Sequence, residues 1–133
     1  MKKIIWLTVF VGICFTCTAL YSLNLTQNKH KPMYTYLALG DSYTIGEQVP
    51  TLESFPHQAV QLLKKQHFDV ADPVIIATTG WTTDELAASI REHNIQETFS
   101  FVTLLIGVNN QYRGRSVENY KEEFTQLLER AIH

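Results

Sequence analysis

The sequence predicts an α/β domain whose parallel sheet is covered by helices on both faces. Two observations carry this reading. First, three short apolar runs, Tyr34 to Leu39, Val74 to Thr78 and Phe101 to Ile106, alternate with three amphipathic stretches. Strands buried on both faces read as solid apolar runs, and strand–helix alternation implies parallel pairing through right-handed crossovers. Second, each run stops abruptly at a glycine-containing polar turn: Gly40-Asp41-Ser42, Thr79-Gly80-Trp81 and Gly107-Val108-Asn109. In open parallel sheets ligands bind beyond the carboxyl ends of the strands, so these turns are where chemistry belongs.

The bulk numbers fit one folded domain. The chain has 133 residues, 45% hydrophobic and 18% charged, enough apolar content to form a core. The formal net charge is -2, and no run of like charge is longer than a pair. A nucleic-acid binder would need clustered Lys and Arg, so that class is excluded.

The chain opens differently from its remainder. Lys2-Lys3 precedes the uncharged run IIWLTVFVGICFTCTALYSL, and the next charge is Lys29. A basic start followed by an apolar stretch reads as an export signal over residues 1–23. Cleavage after Ala19 fits, with Cys17 and Ala19 at the two small-residue positions. An uncleaved anchor also fits, because residues 4–23 match the roughly 20 residues a membrane span needs. Either way the expectation is an exported protein: secreted, periplasmic, or membrane-anchored and facing outward. Both cysteines, Cys14 and Cys17, lie in this leader, so the domain has no disulfide framework and no cysteine metal site. No His/Asp/Glu cluster has ligand spacing, and no metal or other cofactor is expected.

Residues 24–33, NLTQNKHKPM, read as a linker, and residues 34–133 as the domain. The first strand runs from Tyr34 to Leu39, followed by a loop to about Glu53. A helix starts near Ser54 with Pro56 in its first turn, where a missing N–H is harmless. Phe55, Ala59, Leu62 and Leu63 are read as its inner face, and Lys64, Lys65 and His67 suit its negative C-terminal end. After the second strand, Thr82 and Glu85 form a capping box and Asp84 adds first-turn charge to a helix reaching about His93. After the third strand, Ser116 caps a helix with the stripe Val117, Tyr120, Phe124, Leu127, Leu128 and Ala131.

Together the three strand ends suit acyl transfer. A serine hydroxyl attacks an ester carbonyl, and the resulting oxyanion needs preorganised donors. The Ser42 N–H, the Gly80 N–H and the Asn109 amide supply three candidates, with glycine admitting close approach and Asn donating without charge. Singly, each has an ordinary reading: a turn or cap pair at Asp41-Ser42, a tight turn at Gly80, and an Asx cap at Asn109-Asn110. What favours the catalytic reading is their arrival in order, each at a strand end.

On these blocks the chain resembles the SGNH, or GDSL-type, serine hydrolases. The resemblance rests on LALGDSYTIGE, TGWTTDEL and LLIGVNNQYRG and covers about residues 34–133. It implies a flavodoxin-like three-layer α/β/α fold with Ser42 as nucleophile, Gly80 and Asn109 completing the oxyanion hole, and Asp41 shaping the turn. It implies a small-molecule carboxylic ester as substrate: a lipid, a lysophospholipid or an acetylated carbohydrate. Tyr43, Ile45, Trp81 and Tyr112 are compatible with an acyl or sugar site and equally with packing. The third block of the family usually reads GxND, so Asn110 departs at its last place.

The family's base is a histidine in an Asp-x-x-His block near the C-terminus. No aspartate here (41, 69, 72, 84) has a histidine three residues on. The resemblance also implies five strands, of which three are present. The chain therefore reads as the N-terminal part of a hydrolase, nearly inactive alone. The alternative is a non-catalytic exported binding protein on the same fold. A flavodoxin-like phosphate binder is the weaker third reading, because no glycine-rich phosphate loop occurs.

Overall fold

The structure, a computed structural model, describes residues 32–132. The expected leader, most of the linker and His133 lie outside the described residues. Within them, no helix is long and apolar enough to cross a membrane.

Three parallel strands, β1 (Tyr36–Gly40), β2 (Val74–Ala77) and β3 (Phe101–Leu105), form one sheet in the order β2-β1-β3. Among the described residues, five α-helices and a 3-10 helix (Thr51–Glu53) connect and flank them: α1 (Ser42–Ile45), α2 (Phe55–Lys65), α3 (Thr83–His93), α4 (Val108–Tyr112) and α5 (Val117–Ile132). The register aligns the strand ends: Gly40 pairs with Ala77 on one side and Leu105 on the other. The three following turns therefore emerge at one edge.

The central strand β1 is buried along its whole length and feeds both cores. Successive side chains of a strand point to opposite faces. Leu37 and Leu39 pack with Ile76, with Leu86 and Ile90 of α3 and with Leu127 of α5. Tyr36 and Ala38 pack on the other face with Val60 of α2 and with Val70. This is the expected three-layer arrangement. Tyr36 stacks on Phe101 at 4.3 Å between ring centroids, and its hydroxyl meets Thr103 Oγ1 at 2.8 Å. Burial pushes that phenol above its usual range.

The capping signals act as read. Glu85 accepts the Thr82 backbone N–H at 2.9 Å, and Ser116 Oγ accepts the Asn119 N–H at 3.1 Å. Four details differ from expectation. Tyr34 makes only an isolated bridge with Val70, so regular pairing begins at Tyr36. The buried line of α2 is Pro56 and Val60 with half-buried Ala59 and Leu63; Phe55 and Leu62 are exposed, Leu62 by 61%. Positions 56, 59, 60 and 63 share one helical face, and the expected face was rotated from it. On α5, Val117 and Leu128 are exposed, and the buried stripe narrows to Leu127 with half-buried Tyr120, Phe124 and Ala131. Finally, α1 and α4 occupy segments expected to be loop.

Candidate active site

The first strand end is shaped by packing. A Cβ on Gly40 would fall inside the Thr44 hydroxyl and 2.5 Å from the Leu105 carbonyl oxygen. Glycine therefore lets α1 press against the sheet edge. Asp41 follows, 1% exposed. Its side chain accepts the Tyr43 N–H at 3.0 Å, and its carbonyl accepts Thr44 N–H at 3.0 Å and Ile45 N–H at 3.1 Å. Such capping by a short polar side chain converts the turn into a helix start. Burial is the larger influence on Asp41 and raises its carboxyl above the usual range, against the lowering by the Tyr43 N–H. Gly46, left-handed at φ 70, closes α1. Ser42 is thus the first residue of a one-turn helix, half-buried. Among the described residues neither its hydroxyl nor its N–H has a hydrogen-bond partner.

At the second strand end Gly80 adopts φ 81. A Cβ there would meet only Arg113 Nη2 at 3.6 Å, so the left-handed backbone rather than crowding demands glycine. The neighbours of Gly80 are held. Thr79 Oγ1 donates to Glu47 at 2.8 Å, and Arg113 Nη2 donates to the Gly80 carbonyl at 2.6 Å. The Gly80 N–H itself has no acceptor among the described residues.

The third strand end joins the other two. Asn109 Nδ2 donates to the Trp81 carbonyl at 2.8 Å and lies 3.5 Å from Asp41 Oδ2. One side chain thus touches the residue before Ser42 and the residue after Gly80. Gly107, at φ 133, precedes it, where a Cβ would lie 2.6 Å from the Tyr120 ring. The expected convergence of residues 42, 80 and 109 therefore has a physical tie. Of the four residues read as possible substrate lining, Tyr43 and Tyr112 are exposed, while Trp81 is half-buried and packs against the α3 core.

The geometry of three polar strand ends agrees with the sequence comparison. The sequence model of the GDSL-like lipase/acylhydrolase family matches residues 38–133. The chain belongs to that family. Solved structures agree on the fold. The chain is similar to AlinE4, an SGNH-hydrolase family esterase, with 20% identity and TM-score 0.67, covering 77% of this chain and 55% of that one. It is similar to TesA, with 20% identity and TM-score 0.66, covering 73% and 53%. A psychrotrophic esterase, EstA from Pseudoalteromonas sp., solved with monoethylphosphonate as inhibitor, gives 19% identity and TM-score 0.58, covering 73% and 52%. The chain spans about half the length of these structures. No curated protein matches.

Within the GDSL-like frame, Asn110 has a structural account. It is buried, its Oδ1 accepts the Thr83 N–H at 3.1 Å, and its Nδ2 donates to Thr83 Oγ1 at 2.7 Å. The Thr83 hydroxyl then donates to Glu123 of α5. An aspartate would lack the amide donor and would compete with Glu123 for one hydroxyl proton. Sequence reading missed Arg113, Glu47, Thr83 and Glu123 at this edge. None carries a local signal, since each acts through a partner at least 27 residues away.

Among the described residues, no histidine has a hydrogen bond to Ser42. His57 Nδ1 meets Ser54 Oγ at 2.9 Å, and His93 Nδ1 meets the Ser89 carbonyl oxygen at 2.8 Å. His67 and His93 sit at the C-terminal ends of α2 and α3, which run back toward the opposite edge of a parallel sheet.

Proposed function

We propose that this chain carries the nucleophile and oxyanion hole of an exported serine esterase acting on small-molecule carboxylic esters. Ser42 Oγ attacks the ester carbonyl, its proton passes to a base, and a tetrahedral oxyanion forms. The Ser42 N–H, the Gly80 N–H and one hydrogen of the Asn109 amide stabilise that oxygen. Collapse expels the alcohol, protonated by the base, and leaves acyl-Ser42. Water activated by the same base then releases the acid.

One observation carries this reading: the two N–H donors are uncommitted. Two N–H groups lack acceptors among the described residues. Asn109 Nδ2 donates to the Trp81 carbonyl at 2.8 Å, while its second contact, Nδ2 to Asp41 Oδ2 at 3.5 Å, is at the limit of a hydrogen bond. Asp41 orients the turn, and the nucleophile itself has no partner among the described residues.

The base comes from outside residues 32–132, as the Asp-x-x-His block of the family resemblance implies. Without it the serine is a poor nucleophile, and loss of a triad histidine costs on the order of a millionfold. Lipid, lysophospholipid and acetylated-carbohydrate esters all fit this chemistry.

The test, on the protein that includes the Asp-x-x-His block, is hydrolysis of p-nitrophenyl acetate together with fluorophosphonate labelling located by peptide mass spectrometry. Labelling confined to Ser42, and loss of hydrolysis in Ser42→Ala, is the expected result. Hydrolysis that survives Ser42→Ala, or label on another residue, overturns the assignment.

A further inference from the structure

The Gly80 turn poses a mechanical problem. A glycine in a turn, at φ 81 and with no acceptor for its N–H among the described residues, has little of its own to hold it in place. Yet an oxyanion donor acts only if its direction is set before the reaction. Three side chains from distant segments grip residues 79–81. Glu47 holds the Thr79 hydroxyl at 2.8 Å, and Asn109 holds the Trp81 carbonyl at 2.8 Å. Arg113 holds the carbonyl of Gly80 itself, at 2.6 Å.

Arg113 is built for this. Its backbone N–H is fixed by the Asn109 carbonyl at 2.9 Å, so it belongs to the same short segment as the amide donor. Its second nitrogen, Nη1, donates to Glu85 Oε1 at 3.0 Å. The other oxygen of Glu85 accepts the Thr82 N–H at 2.9 Å and so belongs to the α3 cap. The planar guanidinium spans the Gly80 carbonyl and the Glu85 carboxylate at once, which a lysine ammonium, a single point charge, does not reproduce. Arg115 provides an internal contrast: its side chain pairs with Asp84 at 3.4 Å, one residue along α3, rather than with residues 79–81.

We infer that Arg113 is a positioning residue, fixing the Gly80 peptide so that the Gly80 N–H and the Asn109 amide are presented as one rigid donor set. This rests on the oxyanion-hole reading above for its catalytic consequence, but the brace itself is a statement about Gly80.

The test separates the two. The full chain is labelled with 15N-glycine, which yields few resonances because these 133 residues hold only 6 glycines. The Gly80 amide is assigned by its loss in Gly80→Ala. In Arg113→Gln and Arg113→Lys the Gly80 resonance is expected to move or broaden while Gly40 and Gly46 stay in place. In Arg115→Gln it is expected to remain at the wild-type position. In p-nitrophenyl acetate hydrolysis by the protein that includes the Asp-x-x-His block, Arg113→Gln is expected to lower kcat on the order of a hundredfold, as for small misplacements of catalytic groups, with KM little changed. Arg115→Gln is expected to leave kcat intact. A Gly80 resonance unchanged in Arg113→Gln overturns the brace, whatever the activity. An equal kcat loss in Arg113→Gln and Arg115→Gln overturns the catalytic role and leaves only a structural salt bridge. If the protein that includes the Asp-x-x-His block hydrolyses nothing in any form, wild type included, the esterase reading fails, and the Gly80 resonance alone then decides the brace.

Discussion

Gly40→Ala is the most direct perturbation of the sheet edge. The new methyl would sit 2.5 Å from the Leu105 carbonyl oxygen and 2.9 Å from Thr44 Cβ. Leu105 pairs with Gly40 itself in the β1–β3 ladder, so its carbonyl cannot retreat without breaking register. Thr44 is fully buried, so its side chain has nowhere to swing. Overpacking of this kind costs typically about 1–3 kcal/mol, and two rigid neighbours place this case near the upper end. For a domain of about 100 residues each kcal/mol moves Tm by roughly 4–8 °C, so the expected fall is on the order of 10–20 °C. Thermal unfolding followed by far-UV circular dichroism, with urea titration for the free energy, measures it. Thr44→Ala in the Gly40→Ala background should recover part of the loss, by removing the hydroxyl that the new methyl would overlap. A loss below about 0.5 kcal/mol, within the range of an ordinary surface substitution, or no coupling between the two substitutions, would refute the claim that Gly40 is required by close approach.

Other outcomes follow from the same edge. Asn109→Leu should lower kcat of the active enzyme by about 100- to 1000-fold, the cost of one oxyanion donor, and should lower stability by about 1 kcal/mol through the lost Trp81 bond; initial rates and urea midpoints measure the two. Asp41→Asn should gain stability relative to wild type as pH rises. Burial raises the folded carboxyl, so its stabilisation is full below the ordinary unfolded value and falls as pH climbs through the raised one; urea midpoints between pH 3.5 and pH 7 (about the carboxylate range) follow the difference. Glu85 behaves oppositely. The Thr82 N–H first, and Arg113 after it, hold its carboxyl low, so Glu85→Gln should lose less stability than wild type as pH falls through the carboxylate range. Asn110→Asp should destabilise by about 1 kcal/mol at neutral pH, because the new carboxylate and Glu123 would share one Thr83 proton, and Glu123→Gln should relieve it; a double-mutant cycle reads the coupling.

Much of this was legible in order along the chain. The apolar runs marked strands within two residues of those observed, because burial on both faces selects a solidly apolar composition. Thr82-Glu85 and Ser116 marked helix starts through short-range hydrogen bonds that sequence spacing encodes. Helix faces were less legible. On α2, leucines 62 and 63 are equal candidates by hydrophobicity, and only the position of the sheet selects Leu63. The helix α1 escaped notice because it is a single turn, held by the buried Asp41 cap rather than by propensity. Asn110 looked like a lapse from the family pattern until Thr83 and Glu123 supplied its partners.

Local pattern and residue chemistry were enough for the three strand–helix units, for the family, and for Ser42, Gly80 and Asn109 as candidates, since all of these are written at or near strand ends. Only the folded chain shows that Asn109 links the Asp41 and Trp81 turns, that Gly40 is demanded by packing but Gly80 by its backbone, and that Arg113 grips Gly80. Such contacts join segments far apart in the chain, and their distances are set by sheet register and helix packing, which no local spacing records.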